Sequence, residues 1–307
     1  MQDVTYTTDE LATMFKISKH TVYELIKRGE LQAFKVGNKM RIEHAEVERY
    51  KQLKASSQNH SNAQTSPLYP KAYTLKLAGS HDFLVEHLVK YSANESAGLA
   101  IQPSYIGSLE GLMMLYRGNA DIAAIHLLDP ASQEYNLPFI RQLFVHEPIT
   151  VIRLASREQG LIVAKGNPKN ISNVTDFARK DVTIVNRQKG AGTRFLLDSF
   201  LAEKNISPHS IKGYENEEWN HLGAASHISR GSADVAFGIK YAAIQLGLDF
   251  IPVTNEKFDL VLRWTEENKA PMEHLLDLIH FTTFKDSILE LEGYDAGELG
   301  KIIYNHQ

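Results

Sequence analysis

Asn186-Arg-Gln-Lys-Gly-Ala-Gly-Thr-Arg-Phe-Leu-Leu-Asp198 is the stretch whose reading decides the fold. Ahead of it, Asp181-Val-Thr-Ile-Val185 is short, β-branched and bounded by charge, which predicts a buried strand. Behind it, Phe195, Leu196, Phe200 and Leu201 recur at helical spacing. Gly190-Ala-Gly-Thr193 therefore turns a strand into a helix, and its glycines let the backbone curl and approach a ligand closely. The first turn of a helix leaves N–H groups unpaired, with a partial positive charge behind them. Thr193 adds a hydroxyl and Arg194 a fork of donors, so the turn is a candidate anion site.

Composition narrows the classes. The 307 residues allow two or three domains, and 43% hydrophobic with 23% charged residues is ordinary for a globular protein. The net charge is −4, but residues 1–55 carry 10 Lys/Arg against 8 Asp/Glu while the remainder carries 23 against 29. Nucleic-acid contact therefore belongs to the N-terminus. The absence of cysteine excludes disulfides, thiolate metal sites and Cys nucleophiles. No apolar run approaches the roughly 20 residues a membrane helix needs. The start of the chain lacks the basic and apolar regions of a secretory signal, so a cytoplasmic protein is expected.

Thr8-Asp-Glu-Leu-Ala-Thr-Met-Phe15 opens with a cap residue and first-turn acids, predicting a short amphipathic helix. Ser18 caps a second helix over Lys19–Arg28, with Val22, Leu25 and Ile26 inward and Gly29 ending it. Two short helices around a tight turn, the second with a basic face, form a helix-turn-helix. Gln32–Val36 and Lys39–Ile42 flank Gly37-Asn38 as a hairpin wing, and Glu43–Tyr50 reads as a closing helix.

The block from Tyr6 to Tyr50 resembles the excisionase/MerR-type winged helix domain. That resemblance implies double-stranded DNA as a partner. It places Lys19, His20, Thr21 and Tyr23 in the major groove, with Ser18 grouped beside them. Lys35, Asn38, Lys39 and Arg41 of the wing would meet phosphates or the minor groove. A helical protein-interaction module is the alternative. A homodimer is expected, since such domains usually read paired half-sites.

Lys54–Pro67 holds almost nothing that can be buried and reads as a flexible tether. From Tyr73 strands and helices alternate: Tyr73–Ala78, then a helix Phe83–Tyr91; Leu99–Ile101, then Leu109–Arg117; then Asp121–His126. Such alternation predicts a parallel sheet covered by helices, with ligands at the carboxyl ends of strands. Two of those junctions carry a serine after glycine, Ser80 and Ser108, and a third ends in His126. Thr150–Leu154 and Leu161–Ala164 read as strands around Arg157–Gly160, and a helix is predicted to begin at Ile171–Phe177. Phe250–Val253 and Asp259–Arg263 read as another strand pair. Helices close the chain at Met272–Phe281 and Phe284–Leu291.

Arg117-Gly-Asn-Ala-Asp-Ile-Ala-Ala and Arg230-Gly-Ser-Ala-Asp-Val-Ala-Phe are the same phrase, each after a helix and before a strand. This internal repeat predicts two similar α/β lobes joined by two strand crossings, a hinged clamp. The expected organisation is a winged helix-turn-helix over 1–53, a linker over 54–71 and a two-lobed domain over 72–307. Lobe 1 covers about 72–153 and 265–307, and lobe 2 about 154–264.

Ala78-Gly-Ser-His-Asp82, Gly107–Leu112, Ala124–Asp129, Glu134–Pro138, Arg157–Leu161 and Asn186–Arg194 make this region similar to the periplasmic-binding-protein-like domain, type II. Domains of this kind occur fused to DNA-binding domains and to molybdopterin-biosynthesis proteins. Asn220 stands where the family usually has Thr. The resemblance implies a molybdate- or tungstate-binding-like fold used as a cytoplasmic sensor.

A tetrahedral dianion in a closed cleft needs many donors, which helix N-termini and hydroxyls supply. The candidate ligand residues are Ser80, His81, Ser108, His126, Gly190, Gly192, Thr193 and Arg194, with Tyr241 and Gln159 as weaker ones. Arg194 could instead tie the lobes through Asp82 or Asp129. His81, His126 and His221 fit no metal motif, so no metal or cofactor is expected. No paired carboxylates, activated nucleophile or nucleotide loop stands out, so an enzyme is not expected. The function expected is a ligand-responsive transcriptional regulator. The alternatives are a sensor of a carboxylate or pterin, and an enzyme or accessory protein of molybdenum cofactor metabolism.

Overall fold

The computed structural model describes residues 5–15, 19, 22, 25–26, 31, 33–36, 39–44, 46–47, 49–50, 73–95 and 99–306. The chain divides into two compact units, Met1–Leu68 and Tyr69–Gln307.

In the first unit, β1 (Thr5–Thr7) leads directly into α1 (Thr8–Phe15). The cap is Thr7, one residue earlier than the sequence suggests. Glu10 N–H donates to Thr7 Oγ1 at 3.2 Å, and Thr7 N–H donates to Glu10 Oε2 at 2.7 Å, a reciprocal capping box. β2 (Phe34–Val36) and β3 (Lys39–Glu43) pair antiparallel, and the sheet order is β1-β3-β2. Leu11, Ala12, Val22, Leu25, Leu31, Ile42 and Val47 form the core. Val22, Leu25 and Ile26 are helical, as their inward spacing requires.

The second unit is built on one ten-stranded sheet, ordered β5-β4-β6-β11-β7-β10-β8-β9, with β12 and β13 also on β7. Lobe 1 contributes β4 (Tyr73–Gly79), β5 (Leu99–Tyr105) and β6 (Ile122–Ile125), all parallel. Helices α2 (Phe83–Glu95) and α3 (Ser108–Tyr116) follow β4 and β5, and α4 (Leu137–Leu143) follows β6. Lobe 2 repeats the scheme with parallel β8 (Ile184–Arg187), β9 (Glu217–Glu218) and β10 (Val235–Ile239). There α5 (Gly192–Glu203), α6 (His221–Ser229) and α7 (Lys240–Gln245) follow each strand in turn. α8 (Lys269–His280), α9 (Thr282–Ile288), β12 (Tyr294–Asp295) and β13 (Ile302–His306) close the chain.

The repeated phrase has one structural job in both lobes. Arg117 and Arg230 end α3 and α6, and Gly118 and Gly231 take φ of 72° and 70°, a conformation that suits glycine. The following Asp then clamps the neighbouring strand. Asp121 Oδ2 accepts Lys76 N–H and Asp234 Oδ2 accepts Thr183 N–H, both at 2.8 Å.

Both crossings differ from the sequence reading. β7 (Ile149–Val163) and β11 (Asp249–Arg263) are single strands of 15 residues, paired antiparallel along their lengths, with no break at Arg157–Gly160. The polar residues that suggest a loop are cross-strand partners instead, Arg157 and Gln159 buried and Arg157 lying opposite Glu256. Register shifts fall between Pro252 and Thr254 and between Phe258 and Asp259, leaving Val253 on β11 and Leu154 on β7 unpaired. Two smaller expectations also shift. β8 begins at Ile184 because the Asp234 side chain, not a ladder, holds Thr183 N–H. The helix expected from Ile171 is a 3₁₀ turn, Val174–Ala178, capped by Asn173 and stopped when Arg179 turns extended. α4 and β13 carry no clear sequence signal.

Leu75, Leu77, Leu84, Leu88, Leu260 and Met272 centre one lobe's core, and Leu161, Val163, Phe177, Ile184, Leu196 and Phe237 the other's. The carboxyl ends of β4, β6 and β8 therefore face one another across the middle of β7 and β11.

Candidate functional site

In lobe 1, Gly79 ends β4 and Ser80 N–H donates to the Ala124 carbonyl of β6 at 2.9 Å. That brings Ser80 beside the start of α3, where Ser80 Oγ and Ser108 Oγ lie 2.8 Å apart. Ser108 Oγ also accepts the His126 N–H at 3.2 Å. Ser80, Ser108 and His126 thus form one buried group.

His126 Nδ1 lies 2.8 Å from Glu256 Oε2. Burial alone would raise the Glu256 pKa, but Arg157 and His126 outweigh it and hold the carboxyl at about 2. It is therefore ionised, accepts from Nδ1–H, and fixes the imidazole tautomer. Burial pushes the His126 pKa down, so the ring is a neutral group held by a carboxylate.

Arg157 is the centre of the network. Its Nε donates to Glu256 and its Nη1 to Asp82, while Tyr294 Oη donates to Asp82 Oδ2 at 2.6 Å. The guanidinium stacks on the Phe258 ring, 4.3 Å from its centroid. Arg157 Nη2 is buried and has no partner. Gln159, two residues on, donates through Nε2 to Glu256 Oε1 at 2.9 Å and to Thr193 Oγ1 at 3.2 Å. Strand alternation sends Arg157 and Gln159 to this side. Ser156 and Glu158 point to the other face, where with Thr254 and Lys257 they line a surface groove of about 490 Å³. Tyr294 also lines that groove and is the residue it shares with the buried network.

Lobe 2 meets this group through the turn before α5. Leu109 N–H, on α3, donates to the Gly190 carbonyl at 3.1 Å. A Cβ on Gly192 would lie 2.6 Å from His126 Nδ1 and from the His126 carbonyl, so only glycine fits where the lobes touch. The lobes are closed on each other.

The structure brings Ser80, Ser108, His126, Gly190, Gly192 and Thr193 together around the cleft. The other two candidates have partners within their own lobes. His81 Nε2 pairs with Glu86 Oε1 at 2.8 Å. Arg194 Nη1 donates to the Arg187 carbonyl at 2.9 Å and to Glu217 Oε1 at 3.2 Å, and its guanidinium stacks on Tyr214. Arg194 does not reach Asp82 or Asp129. Gln159 lies in the network, and the Tyr241 ring packs on Phe83.

Sequence reasoning missed Arg187. It ends β8, is 3% exposed, and donates from Nε to the Glu218 carbonyl at 3.2 Å and from Nη2 to the Trp219 carbonyl at 2.9 Å. It makes no ion pair among the described residues. Burial, then Arg157, lowers its pKa to about 9, outweighing the opposing pull of Glu256, Asp82 and Glu218. Its position at the carboxyl end of a parallel strand was the available signal. His221 is also buried, with both ring nitrogens unpartnered. Asn220 caps α6 by accepting the Gly223 N–H at 2.6 Å, so the change from Thr keeps a cap in place. Among the described residues no group of three or more His, Asp or Glu side chains is arranged to hold a metal ion.

In the first unit Lys35 is exposed on β2, Lys39 and Arg41 lie on β3, and Lys19 pairs with Asp9 at 2.8 Å. Ser18, His20, Thr21, Tyr23 and Asn38 lie outside the described residues. Among the described residues no helix is long and apolar enough to cross a membrane.

Residues 89–280 match the PBP superfamily domain, and residues 5–52 match a helix-turn-helix domain. The chain belongs to the PBP superfamily and joins its ligand-binding type of domain to a DNA-binding one. It is 34% identical over 302 residues to YvgK, an uncharacterised protein of Bacillus subtilis (strain 168), with 97% of each chain covered. In fold it is similar to a substrate-binding protein assigned to a phosphate ABC transporter of Clostridium perfringens, solved with bound phosphate. The TM-score is 0.54 at 14% identity, covering 73% of this chain and 99% of that one. It is similar too to the sulfate-binding protein SubI of Mycobacterium tuberculosis, with a TM-score of 0.52 at 15% identity over 73% of this chain and 86% of that one.

Proposed function

We propose that this protein is a cytoplasmic, dimeric transcriptional regulator whose DNA affinity is set by a small oxyanion closing the cleft of its PBP domain. One observation carries the reading: Arg187 is a buried guanidinium with no ion-pair partner among the described residues, in a cleft that also holds the unpartnered Arg157 Nη2. A buried charge without a counter-ion is costly, and an anion relieves it. The N–H groups opening α5 and the hydroxyls of Ser80, Ser108 and Thr193 complete a donor-rich wall suited to molybdate or tungstate. The phosphate and sulfate named for the two proteins of similar fold are of the same tetrahedral class. Binding favours the closed form by its differential affinity, and the helix-turn-helix domain reads out that shift on double-stranded DNA.

Calorimetric titration of the full chain with molybdate, tungstate, sulfate and phosphate tests the site. Saturable heat with at least one is expected, and none with any of them sinks the oxyanion reading. Selection of bound sequences from a random duplex library, with and without the binding anion, tests the readout. Identical retention under both conditions sinks the regulatory part.

A further inference from the structure

The lobes carry matched helices at their cleft-facing edges. α3 and α6 each have nine residues, each follows the second parallel strand of its lobe, and each runs into an Arg-Gly-x-Ala-Asp phrase. Ser108 opens α3, and His221 opens α6. His221 thus holds in lobe 2 the place that Ser108 holds in lobe 1. Their surroundings differ. Ser108 Oγ is engaged by Ser80 and the His126 N–H, whereas His221 is 1% exposed with neither Nδ1 nor Nε2 partnered. Gly238 leaves room for the ring, since a Cβ there would lie 3.3 Å from Nδ1. A buried imidazole with both nitrogens free is a group kept for something that enters the cleft.

Charge limits what enters. Asp82 and Glu256 are both engaged by Arg157, so the cleft offers a ligand one guanidinium that pairs with no carboxylate among the described residues, Arg187. A second positive charge close by stabilises a divalent anion further. We propose that His221 touches the bound oxyanion and takes up a proton with it, so that a fully deprotonated dianion is held between Arg187 and an imidazolium. This rests on the oxyanion reading above.

The groups around His221 fit that role. Arg157 approaches from β7 and Arg187 from β8. Glu218 of β9 is engaged by His227 at 2.8 Å, Glu217 by Arg194, and Glu158 of β7 by Lys240 of α7 at 3.2 Å. Tyr241 is the other titratable group of α7, and β10 presents only Gly238 here. None of these carboxylates serves His221. Burial first and then Arg187, Arg157, His126 and His81 hold its pKa well below the ordinary value. A bound dianion reverses the local field. A proton is then taken up at any pH between the free and bound values, and affinity falls as pH rises from the free value to the bound one.

The test is calorimetry of the full chain with molybdate or sulfate near neutral pH, in two buffers of different ionisation enthalpy. Both anions are fully deprotonated there, so any proton taken up goes to the protein. The expected result is a buffer-dependent heat corresponding to uptake of about one proton, and an affinity that falls by at most about tenfold per pH unit between the free and bound pKa values and levels off above the bound one. His221→Gln, and His221→Asn as a second replacement, should bind more weakly and with buffer-independent heat. Buffer-independent heat in the native protein, or proton uptake unchanged in a folded His221 variant, overturns the inference while leaving the oxyanion reading intact. Absence of binding by all the anions overturns both.

Discussion

Arg157 and Glu256 stand directly opposite each other on the two crossing strands, both fully buried and joined to side chains of both lobes. Asp82, His126 and Tyr294 attach the pair to lobe 1, and Gln159 attaches it to Thr193 at the start of α5. Breaking such a pair from one side leaves a buried charge unmatched. Glu256→Ala should therefore cost about 3–5 kcal/mol in chemical denaturation. A loss below about 1 kcal/mol would show that water reaches the network.

The same carboxylate sets an acid limit. Its pKa is about 2 in the folded chain against an ordinary 4.5. A depressed carboxylate adds stability above its unfolded pKa and loses it as pH falls through the folded one. Stability of the native protein should decline between pH 4.5 and about 2. In Glu256→Gln that part of the decline should disappear, read as a flatter denaturation midpoint over the acid range.

Arg187 should behave differently from Arg157. Arg157 has carboxylate partners and Arg187 has none among the described residues. Arg187→Gln removes an unmatched buried charge, so the empty protein should melt at the same temperature or higher. Anion affinity should drop about 100-fold, the scale of about 3 kcal/mol for losing a charge-assisted bond. A lower melting temperature with unchanged affinity would assign Arg187 to the scaffold.

Gly192→Ala separates closure from folding. Its Cβ meets His126 across the cleft, 2.6 Å from Nδ1, and that contact exists only when the lobes are together. The variant should fold with near-native stability, bind the anion at least about tenfold more weakly, a cost of about 1.4 kcal/mol, and show a larger radius of gyration by solution scattering with ligand present. Native affinity would mean that the lobes need not touch.

Lys35 and Arg41, on β2 and β3, carry the wing's charge into the described structure. Replacing either with Ala should weaken binding to all duplexes alike and reduce the slope of log affinity against log salt by about one. A change confined to particular sequences would move that residue to base contact.

Local pattern made much of this legible. The strand-turn-helix at Asn186–Asp198, the serine junctions and the repeated Arg-Gly-x-Ala-Asp phrase all follow from spacing and glycine chemistry, and each appears in place. What stayed hidden is nonlocal. Arg157, Gln159 and Glu256 look like loop residues because their partners lie as far as 130 positions away along the chain. Arg187 reads as a surface charge because nothing near it in sequence says that β9 will cover it. Arg194, by contrast, looked exposed to ligand because Tyr214 and Glu217, its partners, belong to a different strand-turn unit.

The unbroken hydrogen bonding of β7 and β11 has a mechanical consequence. No loop joins the lobes through these strands, so opening cannot be a swivel about one or two residues. Rotation must be shared along a two-stranded torsion bar, yielding first where Val253 and Leu154 leave the ladder and stiffest between them, where Arg157 and Glu256 are locked.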